Sequence, residues 1–179
     1  MPKIDRATGK PVDPWDGIDT MMRVLAIDPG DAHVGMAEFE EGRCVQAWEE
    51  NPAQSLYYAQ SMMREYRIDA LVIESFELYP WKAQQQAFSQ LRTCQLIGAF
   101  KLLFVSNGTM EITGQHPPFL WYQQKATIKK PIAAKLKARG IPLLADESGS
   151  GGHARDAEWH GYHFLFNNPQ EKESNIDAL

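Results

Sequence analysis

Two acidic residues each close an apolar segment of the sequence. Asp28 ends the segment 23–28 (RVLAID) and precedes a Pro-Gly pair, and Glu74 ends the apolar centre of 68–75. An acid at the end of a strand is held rigidly beside a cleft, which suits a metal ligand or a catalytic acid. For Asp28 alone, a turn-forming role before Pro-Gly is equally open. If the two strands pair, the carboxylates would repel each other, and a divalent cation would remove that repulsion.

A histidine and an aspartate stand three residues apart after a glycine-rich loop, at the start of the last predicted helix. They are His153 and Asp156. Residues at this spacing share a helix face, so both side chains can reach one point. The alternatives are an exposed cap for His153 and a helix-dipole interaction for Asp156.

Together, the four residues Asp28, Glu74, His153 and Asp156 predict a divalent-cation site. Oxygen ligands with one imidazole suit Mg²⁺ or Mn²⁺ better than Zn²⁺. A site that keeps open coordination positions suits phosphoryl transfer. In a two-metal arrangement, ions roughly 3.5–4 Å apart hold the attacking water and the leaving oxygen in line. We therefore predict Mg²⁺ or Mn²⁺ as cofactor, with two ions in each active site.

A basic stretch lies between Lys125 and Arg139. It carries six basic residues and no acid, inside a chain whose formal net charge is −5. Because electrostatic footprints are local, the overall charge does not exclude a nucleic-acid partner. A solvated helix face is the alternative explanation of the stretch.

The elements that must position these residues follow from the spacing of apolar residues. We predict strands at 23–28, 34–39, 43–50, 68–75 and 110–114, and helices at 52–66, 83–104, 130–139 and 155–166. This order predicts an α/β fold with a mixed five-stranded sheet, three antiparallel strands followed by parallel ones, and helices on both faces. The polar segments 1–21 and 167–179 predict tails, the first of them disordered, on either side of a domain at 22–166.

Composition points to a cytoplasmic protein. The sequence has no run of 18 apolar residues and no signal-peptide pattern at its start. Its two cysteines, Cys44 and Cys94, both lie in hydrophobic stretches and predict buried free thiols in a reducing compartment.

Three short motifs resemble, in order and spacing, those of the RuvC family of Holliday-junction resolvases in the ribonuclease H-like superfamily. They are AIDPG at 26–30, VIE at 72–74 and HARDA at 153–157. The resemblance covers about 22–166 and is greatest to the divergent members carried by bacteriophages. Family members have an acid, a glutamate, and an aspartate or histidine followed three residues later by aspartate. Asp28, Glu74, His153 and Asp156 match these positions one by one.

The resemblance implies a crossover junction endodeoxyribonuclease of DNA recombination and repair. Such an enzyme is a homodimer that binds four-way DNA junctions and nicks two opposing strands. In the resulting hypothesis Asp28 bridges two ions, while Glu74 and Asp156 bind one each. His153 binds a metal or positions the water. Gly98 in the long helix could allow a partner helix to approach, although packing of that helix on its own sheet is equally open.

The resemblance also implies where DNA would be contacted. The loop 75–84 would bring an aromatic side chain to the junction centre, although packing beneath the long helix is equally open. The candidates are Phe76, Tyr79 and Trp81. The basic stretch would contact phosphates and make binding sensitive to salt. Its candidates are Lys125, Lys129, Lys130, Lys135, Lys137 and Arg139.

Three other functions stay open on these residues. A ribonuclease H-like nuclease of broader specificity, for branched DNA, flaps or RNA, shares the same chemistry. Asp28-Pro-Gly followed by Gly35 is also similar to the first phosphate loop of actin-like ATPases and sugar kinases. Those proteins need a second phosphate loop, an adenosine motif and about twice the length, none of which this sequence has. A non-catalytic DNA-binding scaffold predicts an incomplete acid cluster, whereas all four positions are filled.

Overall fold

The structure is a computed structural model. It describes residues 22–65, 68–75, 83–110, 120–124 and 128–167. Within these ranges, the side chains of 83–91, 107–110, 120–124 and 129 are not described.

The sheet has five strands in the order β3-β2-β1-β4-β5. Strands β1 (Val24–Asp28), β2 (Val34–Glu40) and β3 (Arg43–Glu50) form an antiparallel meander. Strand β4 (Ala70–Glu74) pairs parallel with β1, and β5 (Leu120–Gln124) pairs parallel with β4. The carboxyl ends of β1 and β4 therefore meet at the same edge of the sheet.

Helices cover both faces of the sheet. Helices α1 (Pro52–Glu65) and α2 (Ala83–Met110) pack on one face, where Leu25 and Ile27 are buried. Helices α3 (Lys129–Arg139), α4 (Leu144–Ser148) and α5 (Gly152–Asn167) pack on the other. The predicted mixed sheet with helices on both faces is confirmed.

The alternation of strand side chains sets the direction of the strand-end acids. Ala26 in β1 and Val72 in β4 face the core beneath α5, whereas Ile27 and Ile73 face α1 and α2. Since side chains two residues apart point to the same face, Asp28 and Glu74 continue the rows of Ala26 and Val72 towards α5.

The predicted strand at 110–114 lies almost entirely outside the described residues, and only its first residue can be compared with the structure. Met110 is the last residue of α2, residues 111–114 lie outside the described ranges, and the fifth strand is β5. The pair Asn107-Gly108 predicts the end of the helix, but α2 continues through it. A single interior glycine weakens a helix by only about 1 kcal/mol, so it need not stop one.

Helix α5 lies close to the sheet along its length and contacts β1, β2, β3 and β4. A side chain at Gly161 would overlap the ring of Phe39 on β2, so the glycine permits this close approach. Of the two thiols predicted to be buried, Cys44 is half-buried and Cys94 is exposed on α2, so the prediction for Cys94 is wrong. No helix in the described ranges has the length and apolarity needed to cross a bilayer.

Candidate functional site

The two strand-end acids lie side by side on neighbouring parallel strands. The register pairs Ile27 with Ile73, so Asp28 and Glu74 are the next residues on β1 and β4. Asp28 is buried, with 6% of its surface exposed, and the side chain of Glu74 is 14% exposed. Two carboxylates this close and this shielded from water repel each other unless a positive charge lies nearby.

Helix α5 supplies imidazoles to both acids. His153 in its first turn has Nδ1 2.6 Å from Asp28 Oδ2. His160, two turns later, has Nε2 2.8 Å from Glu74 Oε2 and is fully buried. Asp156 lies between the two histidines on the same helix and is half-buried. The structure thus brings Asp28 and Glu74 together beneath one face of α5, with His153 directly on Asp28.

A compact set of ligand atoms lies at the centre of this arrangement. Asp28, Glu74 and His160 each offer one atom, and the three atoms lie within 4.8 Å of one another. Carboxylate oxygens with an imidazole nitrogen are a donor set that Mg²⁺ or Mn²⁺ accepts. The two carboxylates, with the imidazoles of α5 beside them, therefore fit a divalent cation. The assignment of Asp28, Glu74, His153 and Asp156 as ligands stays a prediction.

His160 is not among the site residues that the sequence motifs predict. A signal for it exists, since His160 follows Asp156 by four residues and His153 by seven, and these spacings share one helix face. Only the packing of α5 over β4 shows that the imidazole reaches Glu74 rather than the apolar core.

The electrostatics of His153 follow from its acidic neighbours. The hydrogen bond to Asp28 raises the pKa of His153 above its ordinary value, and the negative charges of Asp28, Glu49 and Asp156 act in the same direction. Partial burial opposes this effect. In the absence of other cations, a protonated His153 therefore supplies positive charge to this acidic site.

This pKa shift predicts a pH-dependent stability in metal-free buffer. The pair between protonated His153 and Asp28 stabilises the fold fully below the unfolded histidine pKa of about 6.5. Because the folded pKa is raised, this stabilisation is lost as the pH rises through that higher value. Urea unfolding should show the wild type losing stability relative to His153→Gln as the pH rises above about 6.5 and through the raised pKa of His153. Parallel profiles for the two proteins would contradict the pairing.

The first turn of α5 is capped by a residue from a distant strand. Glu49 Oε1 on β3 accepts hydrogen bonds from the backbone N–H groups of His153 (2.8 Å) and Ala154 (3.4 Å). The helix has no acid of its own in that turn. A side chain at Gly151 would overlap the Glu49 carboxylate, so glycine there makes room for the cap. Glu49 thereby fixes where the helix begins, and with it the position of His153.

Removal of this cap should loosen the helix start. Glu49→Ala should cost about 1 kcal/mol of folding free energy, the usual value of an N-cap. It should also speed amide hydrogen exchange at His153 and Ala154, whereas Glu49→Gln keeps an oxygen acceptor and should recover most of both effects. Glu50→Ala on the same strand is the matched control. Unchanged exchange at the two amides in Glu49→Ala would show that Glu49 does not hold the helix.

Two glycines that follow β1 in the sequence lie against the first turn of α5. A side chain at Gly30 would crowd the imidazole of His153, and one at Gly35 would overlap the backbone carbonyl of His153. The loop after Asp28 and the start of β2 can therefore approach the helix more closely than any larger residues would permit.

The predicted DNA contacts fall into three groups. Phe76, Tyr79, Trp81 and Lys125 lie outside the described residues, and Lys129 begins α3 but its side chain is not described. Lys130 and Lys137 are exposed on α3. Lys135 and Arg139 instead lie over the ring of Phe166, at 4.0 and 4.7 Å from its centroid. Burial against this ring, followed by the charge of Arg139, lowers the pKa of Lys135.

Comparisons with known proteins find the fold but no sequence relative. No protein-family model matches the chain, and no curated protein matches it. Among solved structures, the chain is similar to "T. thermophilus RuvC in complex with Holliday junction substrate", with a TM-score of 0.62 and 18% identity over 83% of this chain and 96% of that one. It is also similar to "Thermus thermophilus RuvC structure", with a TM-score of 0.57 and 14% identity over 84% and 97%. The chain therefore has a RuvC-like fold.

Proposed function

We propose that this protein is a divalent-cation-dependent endonuclease that resolves four-way DNA junctions. The observation that carries the proposal is the placement of Asp28 and Glu74 at the same edge of a RuvC-like sheet, beneath the helix face that bears His153. One of the solved structures with this fold is a complex with a Holliday junction substrate, which supports branched DNA as the partner.

Four residues would hold the cations, which we propose to be two Mg²⁺ or Mn²⁺ ions. They are Asp28, Glu74, His153 and Asp156. When bound, such ions stabilise charge on a reacting phosphodiester and make water a stronger nucleophile. Asp28 and Glu74 are fixed by their strands, and their shielding from water strengthens their pull on a cation. His153 is 44% exposed, which places an imidazole at the open side of the site where substrate must enter.

The basic helix α3 would hold the DNA backbone. It contacts α5, and Ile132 and Leu136 anchor its inner face in the core. Lys130 and Lys137, seven residues apart, point outward on one face. Lysines that neutralise phosphates release counterions, so binding should weaken as salt rises. Lys135 and Arg139 give the same surface additional positive charge while packing on Phe166.

We further propose that two copies of the chain pair through α2. Leu96, Ile97, Phe100 and Phe104 bury one side of this helix. On the other side Leu102 and Val105 are 68% and 60% exposed, and a side chain at Gly98 would meet nothing within 4 Å. An exposed apolar strip beside an open glycine is suited to a helix from a second copy. A homodimer would supply two active sites for two opposing strands, and a molar mass by light scattering tests it.

The substrate class is tested by comparing DNA structures of matched sequence. In Mg²⁺ or Mn²⁺, the protein should cut an immobile and a mobile four-way junction much faster than linear duplex, a flap or an RNA–DNA hybrid. Equal rates on all of these would favour the broader ribonuclease H-like nuclease. Junction binding without cutting in either metal would favour a DNA-binding scaffold. A cytoplasmic location and a kinship with the divergent bacteriophage enzymes are parts of the same proposal.

A further inference from the structure

His160 is the one imidazole of the site that is closed to solvent. None of its surface is exposed, and its Nε2 lies 2.8 Å from Glu74 Oε2. We propose that His160 is a positioning residue that donates its Nε2–H to Glu74 and is not itself a cation ligand. The proposal rests on the proposed function only in taking Glu74 as a ligand.

The surroundings of the second ring nitrogen of His160, Nδ1, determine which of the two nitrogens carries the proton. His160 Nδ1 is buried and has no hydrogen-bond partner among the described residues. A proton on Nδ1 would be a buried donor without an acceptor, which is costlier than an acceptor without a donor. A proton on Nε2 instead meets a carboxylate oxygen. The neutral ring therefore carries its proton on Nε2.

This tautomer conflicts with a ligand role. To bind a cation through Nε2, His160 would have to move its proton to Nδ1. Histidines that bind metals almost always donate their other N–H to a carboxylate, a carbonyl or water. The surroundings of His160 Nδ1 in the described structure offer none of these. The closeness of His160 to Asp28 and Glu74 is thus explained by its hydrogen bond to Glu74.

His153 has the opposite arrangement. Its Nδ1 faces the Asp28 carboxylate, and its side chain is 44% exposed. Its other nitrogen lies on the side of the small residue Gly30. The two histidines share one face of α5, yet only His153 has both a carboxylate partner for one nitrogen and access to the open side.

The hydrogen bond gives Glu74 a defined orientation. A glutamate at a strand end has three rotatable side-chain bonds and would otherwise sample several directions. With Oε2 engaged by His160, the carboxylate has one fixed contact and samples fewer directions. The same bond ties α5 to β4, so the helix and the acid keep their relative position.

Two substitutions separate the donor role from the ligand role. The side-chain nitrogen of His160→Gln can stand near the place of Nε2 and donate to Glu74, whereas the imidazole nitrogen that a ligand role would need is lost. The nitrogen of His160→Asn stands nearer the place of Nδ1 and leaves Glu74 without its donor. In calorimetry with Mn²⁺ alone, the His160→Gln variant should bind the ion nearly as tightly as the wild type does. The His160→Asn variant should bind it about 10–100-fold more weakly. Equal weakening by both variants would overturn the proposal.

Nitrogen NMR of the wild-type protein gives a second readout that needs no variant to fold. Without metal, the His160 ring should show a protonated Nε2 and a bare Nδ1, and this pattern should persist when Mg²⁺ saturates the site. Loss of the Nε2 proton on adding Mg²⁺ would overturn the positioning role and leave the nuclease proposal standing. Failure to cut any junction would overturn the nuclease proposal but not the tautomer. Absence of Mg²⁺ and Mn²⁺ binding would overturn both.

Discussion

Asp28→Asn should reduce junction cleavage by at least about 1,000-fold while leaving the fold intact. The Asp28 carboxylate at the end of β1 lies 2.6 Å from His153 Nδ1, and one of its atoms lies within 4.8 Å of a ligand atom of Glu74. A cation in such a site supplies several kcal/mol of transition-state stabilisation, and each 1.4 kcal/mol is about tenfold in rate. Asparagine keeps an oxygen that can accept from His153, so Tm should change little in metal-free buffer of high pH, where the ion pair between His153 and Asp28 is already lost. The shift of Tm caused by Mn²⁺ in the wild type should disappear.

The matched control for this variant is Asp31→Asn, three residues further along the same loop. Asp31 Oδ1 accepts a hydrogen bond from Thr93 Oγ1 at 2.7 Å, and an asparagine oxygen can accept it too. This control should cut junctions at close to the wild-type rate. If Asp28→Asn does so as well, Asp28 is a turn residue and the proposed site is wrong.

Among glycine-to-alanine substitutions in the described part of the chain, Gly35→Ala should be the most damaging. The added carbon would overlap the backbone carbonyl of His153, and neither β2 nor the first turn of α5 can yield as a flexible side chain would. Overpacking of this kind costs about 1–3 kcal/mol, which for a chain of this size lowers Tm by roughly 2–12 °C. Displacing α5 by about 1 Å would also cost on the order of 100-fold in cleavage rate.

The comparison variant is Gly152→Ala, on the other side of the same contact. A side chain at Gly152 would meet nothing within 4 Å. Alanine is a better helix former than glycine, so this change should leave Tm unchanged or raise it slightly. Scanning calorimetry and cleavage rates on both variants check the pair. Equal, small effects would show that α5 does not rest on β2 as closely as described.

Much of the sheet could be predicted from the sequence because its signals are local. The alternating or continuous apolar runs around Ile27, Met36 and Ile73 indicate strands, and short loops imply the antiparallel meander. The strand β5 was missed because it is a short segment, LWYQQ, that ends in two glutamines and has no alternation of apolar and polar residues. Pairing with β4 stabilises that segment as a strand, and a contact so distant in sequence leaves no local pattern.

The acids of the site were predictable for a reason that the histidines do not share. Asp28 and Glu74 end strands, and the carboxyl ends of parallel neighbours must meet. The roles of His160 and Glu49 depend on how α5 lies across the sheet, through contacts 86 and 104 residues apart in sequence. Glycines at 35 and 161 permit that placement, but a glycine in a sequence does not tell which neighbour it admits.

Cleavage of an end-labelled four-way junction by the purified wild-type protein tests the central claim most directly. The reaction is run in Mg²⁺, in Mn²⁺ and in EDTA, with Asp28→Asn alongside. We predict paired nicks in opposing strands with either metal, none in EDTA and none with the variant. Cutting that continues in EDTA, or junction binding with no cutting in either metal, would contradict a divalent-cation nuclease centre at Asp28 and Glu74.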